Sequence, residues 1–246
     1  MEVITSLDNK KIKEYAKLLK KKYRDLNNKF LIEGRHLVLE ALKSGYLEEV
    51  ILTYDEVIPI EVKKTYVTKE VIKKLTNVLS VPDIVGVCKK LEEKEIGDKV
   101  VVLDGLQDPG NLGTIIRSAV AFGVDTIVLS DDCVDLYNDK VIRATQGMIF
   151  HINIVKRNLL EFLPRIKNEY QIIGTKVTHG IEISDIDLQN KYAFILGNEG
   201  QGVKEEVLDL CDCYANILMD DMCESLNVGV ASSIIMYELY KKGRKV

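Results

Sequence analysis

Hydrophobic and polar positions change period repeatedly along the first ninety residues. Ile12, Tyr15, Ala16, Leu18 and Leu19 fall between lysines at helical spacing and predict one lysine-rich helix reaching residue 22. Phe30-Leu31-Ile32-Glu33 reads as a short strand. Leu37, Val38, Ala41 and Leu42 form the apolar stripe of a helix that Gly45 stops. Val50-Ile51-Leu52, Tyr66-Val67 and Ile84–Val87 read as further strands. Thr68 is placed to cap a short helix carrying Val71, Ile72 and Leu75.

From Lys99 the pattern becomes regular. Val100–Leu103 is apolar throughout, as in a strand covered on both faces. Helices are predicted after Asn111, with Ile115, Ile116, Ala119 and Phe122 at helical spacing and Gly123 as the stop, and near 138–146, 158–168, 203–210 and 228–242. Strands are predicted over 126–129, 152–155, 172–175, 192–196 and 214–218. Alternating strands and helices predict an α/β domain with a mainly parallel sheet and helices on both faces. The charged stretch Glu92–Asp98, with Gly97 near its end, reads as the linker. It gives a small α+β domain over residues 1–97 and an α/β domain over 98–246.

Composition narrows the class. Hydrophobic residues are 46% and charged residues 29% of the 246, which excludes a disordered or collagen-like chain. No run approaches the ~18 apolar residues of a membrane span, and the first residues lack the apolar core of a secretory signal. A cytoplasmic protein is expected. Cys88, Cys133, Cys211, Cys213 and Cys223 are an odd set without zinc-site spacing, and His36, His151 and His179 are scattered. Reduced thiols and no metal site are therefore expected. The net charge of −4 hides an asymmetry. Lysines crowd the first helix, whereas the second domain is acidic; charge alone favours an ordinary solvated helix face over a surface that neutralises phosphates.

Three loops carry candidate chemistry, since ligands of parallel sheets bind at the carboxyl ends of strands. Asp108-Pro109-Gly110-Asn111 turns into a helix, with Asn111 as a candidate cap. Arg117 follows within that otherwise apolar helix, either a surface side chain or an anchor for phosphate. Gly197-Asn198-Glu199-Gly200-Gln201-Gly202 follows the strand 192–196. Its glycines allow close backbone approach to a ligand, but it is neither a P-loop nor a dinucleotide fingerprint. The third loop, Ile217–Asn227, leads into a helix rich in small residues, with Ser225 or Asn227 as its cap. No histidine lies in these loops, which excludes a serine-hydrolase triad.

Taken in order, Asn111–Arg117, Leu196–Gly202 and Ser225–Val228 resemble the three motifs of the SpoU/TrmH family of RNA ribose 2′-O-methyltransferases, in the SPOUT superfamily. Phe30–Val38 also resembles the substrate-binding domain that many members carry. The resemblance implies a deep trefoil knot at the C-terminal end, built from the second and third loops, and S-adenosylmethionine held there in a bent pose. It implies a homodimer with the active site near the subunit interface. Cofactor contacts are expected from Gly197, Ile217 and Leu226, with Thr175, Leu196, Gly202 and Met219 as further cofactor-binding candidates. The catalytic set is Arg117, Asn111, Glu199, Ser225 and Asn227.

An arginine is hard to deprotonate. Arg117 is therefore expected to bind the neighbouring phosphate and stabilise the nascent alkoxide, with the other four positioning RNA and loops. Many relatives carry Pro and Gly where this chain has Leu218 and Asp221. With RNA as the partner, Lys10, Lys13, Lys17, Lys20, Lys21 and Arg35 become candidate phosphate contacts. Ribosomal RNA is favoured as substrate. The alternatives are transfer RNA, or a knotted RNA-binding or ribosome-assembly protein without turnover. A nicotinamide dehydrogenase is disfavoured by the missing fingerprint.

Overall fold

The computed structural model describes residues 2–177 and 180–243; His179 lies outside the described residues. The chain forms two compact units. The first holds the residues up to Glu92 together with Asp135–His151, and the second holds Glu93–Val134 and the residues from Ile152 on. The sequence places one boundary at 97/98. In the structure the segment around the helix expected at 138–146 belongs to the first unit.

The first unit begins with β1 (Val3–Ile4), α1 (Lys10–Lys17), α2 (Lys21–Asn27), β2 (Lys29–Glu33) and α3 (Arg35–Lys43). It continues with β3 (Leu47–Thr53), β4 (Lys63–Val67), α4 (Lys69–Lys73) and β5 (Ile84–Lys89). The sheet order is β1-β4-β3-β5-β2, with β5 antiparallel to both neighbours and the other pairs parallel. The single lysine-rich helix read from the sequence is two helices. The buried Arg24 guanidinium donates to the carbonyls of Leu18 and Leu19, both at 2.9 Å, and so holds the break between them. The two-residue β1 was not legible, because two residues carry no period.

The second unit opens with β6 (Lys99–Leu103), α5 (Pro109–Ala121) and β7 (Thr126–Leu129). The chain then supplies α6 (Asp139–Thr145) and a 3-10 turn, Met148–His151, to the first unit. It returns as β8 (Asn153–Lys156), α7 (Leu159–Ile166), β9 (Gln171–Thr175), β10 (Ile181–Glu182), β11 (Tyr192–Leu196), α8 (Glu205–Leu208), β12 (Cys213–Asn216) and α9 (Val228–Gly243). All seven strands are parallel, in the order β10-β12-β9-β11-β6-β7-β8. Alternate residues Val100, Val102, Val128, Ala193 and Ile195 pack with Leu159, Phe162 and Leu208 of α7 and α8. Ser118 of α5 and Ser233 of α9 meet at 2.7 Å, so these helices pack on each other.

This order positions the site. From β6 the chain builds outward to β8, then returns to lay β11 on the other side of β6. Leu103 and Leu196 are in register, so the loops leaving both strands emerge side by side at the switch point, where parallel sheets bind ligands.

Candidate active site

The three loops suspected from sequence meet at this carboxyl edge. The first starts α5. Its N-cap is Asp108, whose side chain accepts from Asn111 N at 2.8 Å, with Pro109 in the first turn. Asn111, read as the cap from sequence, thus sits one turn inside the helix with its amide free to reach outward. The Asn111 amide donates to Glu199 Oε1 at 3.1 Å, and its oxygen accepts from Asn227 Nδ2 at 3.0 Å. Asn227 caps α9, its Oδ1 accepting from Gly229 N and Val230 N. One polar chain therefore joins all three loops.

Glu199 also accepts from the backbone N–H groups of Asp108 (3.0 Å) and Gln107 (3.3 Å). Burial pushes its carboxyl up, but the hydrogen bonds from Asn111 and from backbone N–H groups outweigh that and hold it below the usual carboxylate value. A carboxylate so held is an anchor for the first loop and a weak base. Behind it, Asn198 donates to Gly105 O at 2.8 Å and closes the glycine loop by paired 2.9 Å backbone bonds with Gly202. A Cβ on Gly197 would lie 1.9 Å from Gly202 C and 2.1 Å from Val203 N. The loop folds back so tightly that only glycine fits there.

A second polar cluster, which the sequence reading missed, pins the end of that loop. Asp104, buried at the end of β6, accepts from Lys204 N at 2.9 Å. Lys204 Nζ lies 3.1 Å from Asp104 Oδ1 and 2.7 Å from Asp132 Oδ2. Its hydrogen bond to Asp132, and then that to Asp104, raise the lysine pKa despite desolvation. No sequence signal joins residues 104, 132 and 204; three parallel strand ends bring them together.

The second and third loops enclose a cleft of about 730 Å³, which Asn111 of the first loop does not line. Thr175, Leu196, Gly197, Gly202, Ile217, Met219 and Leu226, the sequence-derived cofactor set, all line it, as do Glu199, Ser225 and Asn227. Ile235 and Ala231 of α9, Ala215 and Asn216 line it too and were not foreseen. Asn198 was quotable from its motif, but Ile235 is an ordinary helix residue in the sequence. Arg117 does not line the cleft. It stands exposed on α5 with no hydrogen bond or ion pair among the described residues. Leu218 is also exposed, at 68%. Among the described residues no cluster of three His, Cys, Asp or Glu could hold a metal, and no helix is long and apolar enough to cross a membrane.

Residues 98–237 match the SpoU rRNA Methylase family. The chain belongs to that family. Residues 9–86 match the MRM3-like substrate binding domain. The 23S rRNA (guanosine(2553)-2′-O)-methyltransferase RlmP of Bacillus subtilis (strain 168) is 39% identical, over 97% of this chain and 99% of its own. A solved RNA 2′-O ribose methyltransferase superposes with a TM-score of 0.84 at 29% identity, covering 100% of both chains. The AdoMet-bound rRNA methyltransferase from Sinorhizobium meliloti gives 0.86 at 27% identity, over 100% of this chain and 99% of that one. The α/β unit with its parallel sheet is thus the SpoU domain, and the polar chain Glu199–Asn111–Asn227 links its three motifs.

Proposed function

We propose that this SpoU protein transfers the methyl group of S-adenosylmethionine to a ribose 2′-hydroxyl of 23S ribosomal RNA. The observation that carries the reading is that the second and third SpoU motifs line one cleft and Asn111 of the first is hydrogen-bonded to both, in a chain that aligns almost end to end with RlmP.

The residues present fit the cofactor. The cleft lies within the roughly 300–1,000 Å³ of small-molecule sites. Leu196, Ile217, Leu226 and Ile235 give it apolar walls suited to an adenine ring. Asn216 Oδ1 is buried there without a hydrogen-bond partner, an acceptor suited to an amino group. An added Cβ on Gly202, at φ +71°, would meet nothing within 4 Å, so its backbone is open to a ligand. When bound, the cofactor supplies a methyl group on a cationic sulfur, and its departure leaves a neutral thioether.

The protein's part is alignment and charge. Glu199 and Asn111 hold the first loop, and Asn227 sets the start of α9. The cleft serves to hold the two reactants in line. Arg117, exposed and without a partner among the described residues, is the side chain assigned here to an RNA phosphate and to the negative charge growing on the ribose oxygen, although it does not itself line the cleft. The family's trefoil knot belongs to this reading, formed by the second- and third-motif loops. So do a cytoplasmic location and a homodimer with the active site near its interface.

Transfer of labelled methyl from S-adenosylmethionine to unmodified 23S ribosomal RNA, with transfer RNA in parallel, tests the proposal. Label on a ribose of 23S RNA is expected. Label confined to transfer RNA overturns the substrate assignment. Cofactor binding with no transfer to naked RNA or to ribosomal precursor particles overturns the enzymatic one. Arg117→Ala is expected to lower kcat by about 10²-fold or more, the scale of losing one charge-stabilising donor, and full activity in that variant removes Arg117 from the mechanism.

A further inference from the structure

The first unit has two covered sheet faces that differ in how many exposed lysines they carry; one holds Lys140 of α6, without an acidic partner among the described residues, and Lys43, paired with Glu40. On one face Phe30 stacks with Phe150 of the returning segment at 6.3 Å. His36 of α3 contacts Gln146 O at 3.1 Å, and Glu40 contacts His151 at 2.9 Å. The arginines around that segment are committed: Arg24 to Asp135, and Arg143 to Glu33 and Asp139. Arg35, at the start of α3, is tied to Glu56 and to Val57 O.

The opposite face is covered by α1 and α4. Ile12 and Leu18 pack there with Val71, Ile72 and Leu75 over Ile51, Val67, Val85 and Val87. Lys74 Nζ donates to Leu7 O at 2.7 Å and stitches α4 to the loop before α1. Lys11 is drawn inward to the buried Glu49. The remaining lysines of the two helices face outward. Lys10 of α1 and Lys73 of α4 are exposed and have no acidic partner among the described residues. The acidic partners of Lys13, Lys17 and Lys69 are the exposed Asp8, Glu14 and Asp83; Lys17 also lies 5.8 Å from the Tyr23 ring centre, and exposed Glu70 stands on α4 between Lys69 and Lys73. Such exposed pairs are worth little and exchange readily for a phosphate.

We infer that the α1/α4 face is the surface that grips RNA phosphates, with Lys69 and Lys73 of α4 acting beside Lys10 and Lys13 of α1. The inference rests on the RNA methyltransferase reading and extends it to a helix that the sequence did not single out. It also removes Arg35 from the RNA contacts, because that guanidinium is held within its own unit. The partner is identified by charge alone, as a polyanionic backbone; no base recognition is assigned to this face.

The test measures binding of the full-length protein to a transcript of 23S ribosomal RNA over a range of salt. The variants are Lys69→Gln/Lys73→Gln, Lys10→Gln/Lys13→Gln and Arg35→Gln. Far-ultraviolet circular dichroism and cooperative denaturant unfolding serve as the folding control. Each of the two lysine pairs is expected to weaken RNA binding by roughly 3- to 10-fold. Each should also flatten the slope of log K against log salt by about 0.7 to 0.9 for every phosphate no longer neutralised. Arg35→Gln should match the wild type. Wild-type affinity and slope in Lys69→Gln/Lys73→Gln overturn the inference, and so does a loss confined to Arg35→Gln. If the wild type still methylates the transcript in either case, the functional proposal stands while this surface is rejected.

Discussion

At the scale of single residues, the site is governed by a few polar side chains that each hold a loop. Lys204 lies between Asp104 and Asp132 at the end of the glycine loop. Lys204→Met leaves the two carboxylates facing a neutral side chain and frees the backbone to shift. Because Lys204 does not line the cleft, it acts as a positioning residue. The expected result is weaker S-adenosylmethionine binding, by roughly 10-fold, the scale of about 1.4 kcal/mol. kcat at saturating cofactor should change little, and Lys204→Arg should recover part of the affinity. Unchanged calorimetric affinity in Lys204→Met would remove the role.

Glu199 supplies a pH prediction. Its carboxyl is depressed in the folded protein, so it contributes stability that is present above the ordinary carboxylate value of 4.5 and is lost as pH falls below it. Denaturant unfolding of the wild type and of Glu199→Gln, compared from pH 7 down to pH 3, should show a gap that narrows as the solution is acidified. A constant gap would mean that the hydrogen bonds do not depend on the charge. These residues were unequally legible. Glu199, Asn111 and Asn227 stand in recognisable motifs, whereas Asp104, Asp132 and Lys204 are separated in sequence and meet only because β6, β7 and β11 are neighbours.

At the scale of elements, helix and strand identity followed from period, and the departures have local causes. The lysine-rich stretch is broken where the Arg24 side chain takes the carbonyls of Leu18 and Leu19, six and five residues before it. Periodicity cannot see such a bond. The start of α5 is set by Asp108 because its side chain reaches Asn111 N, which leaves Asn111 available for Glu199 and Asn227. The turn after β11 depends on Gly197. Gly197→Ala would drive a methyl into the backbone of Gly202 and Val203, and neither can yield as a flexible side chain would. Destabilisation of about 3 kcal/mol or more is expected in denaturant titration, together with loss of cofactor binding. Near-wild-type stability would mean that the loop is less tightly folded back than its geometry shows.

At the scale of the whole molecule, the chain passes between its two units at Glu92/Glu93, Val134/Asp135 and His151/Ile152. The outward face of α9 carries Val230 and Tyr237, 49% and 48% exposed and seven positions apart, on the same side of the helix. If this face forms the homodimer proposed above, Val230→Glu/Tyr237→Glu should yield a monomer in sedimentation at micromolar concentration. It should also lower methyl transfer while leaving the far-ultraviolet circular dichroism unchanged. A dimer that survives the double substitution places the interface elsewhere.

The sequence by itself determined the order and kind of most elements, the parallel α/β class and the three motif loops. Period, capping residues and glycine position act over a few residues, so they can be read locally. Their resemblance to known motifs carried the activity. Only the tertiary structure decided that residues 135–151 join the first unit, that Asp104 and Asp132 clasp Lys204, and that Ile235 walls the cleft. It also decided which lysines of the first unit stand exposed without an acidic partner among the described residues. Each of these depends on strand order and on which face of an element is covered, and residues far apart in the chain carry no mark of becoming neighbours.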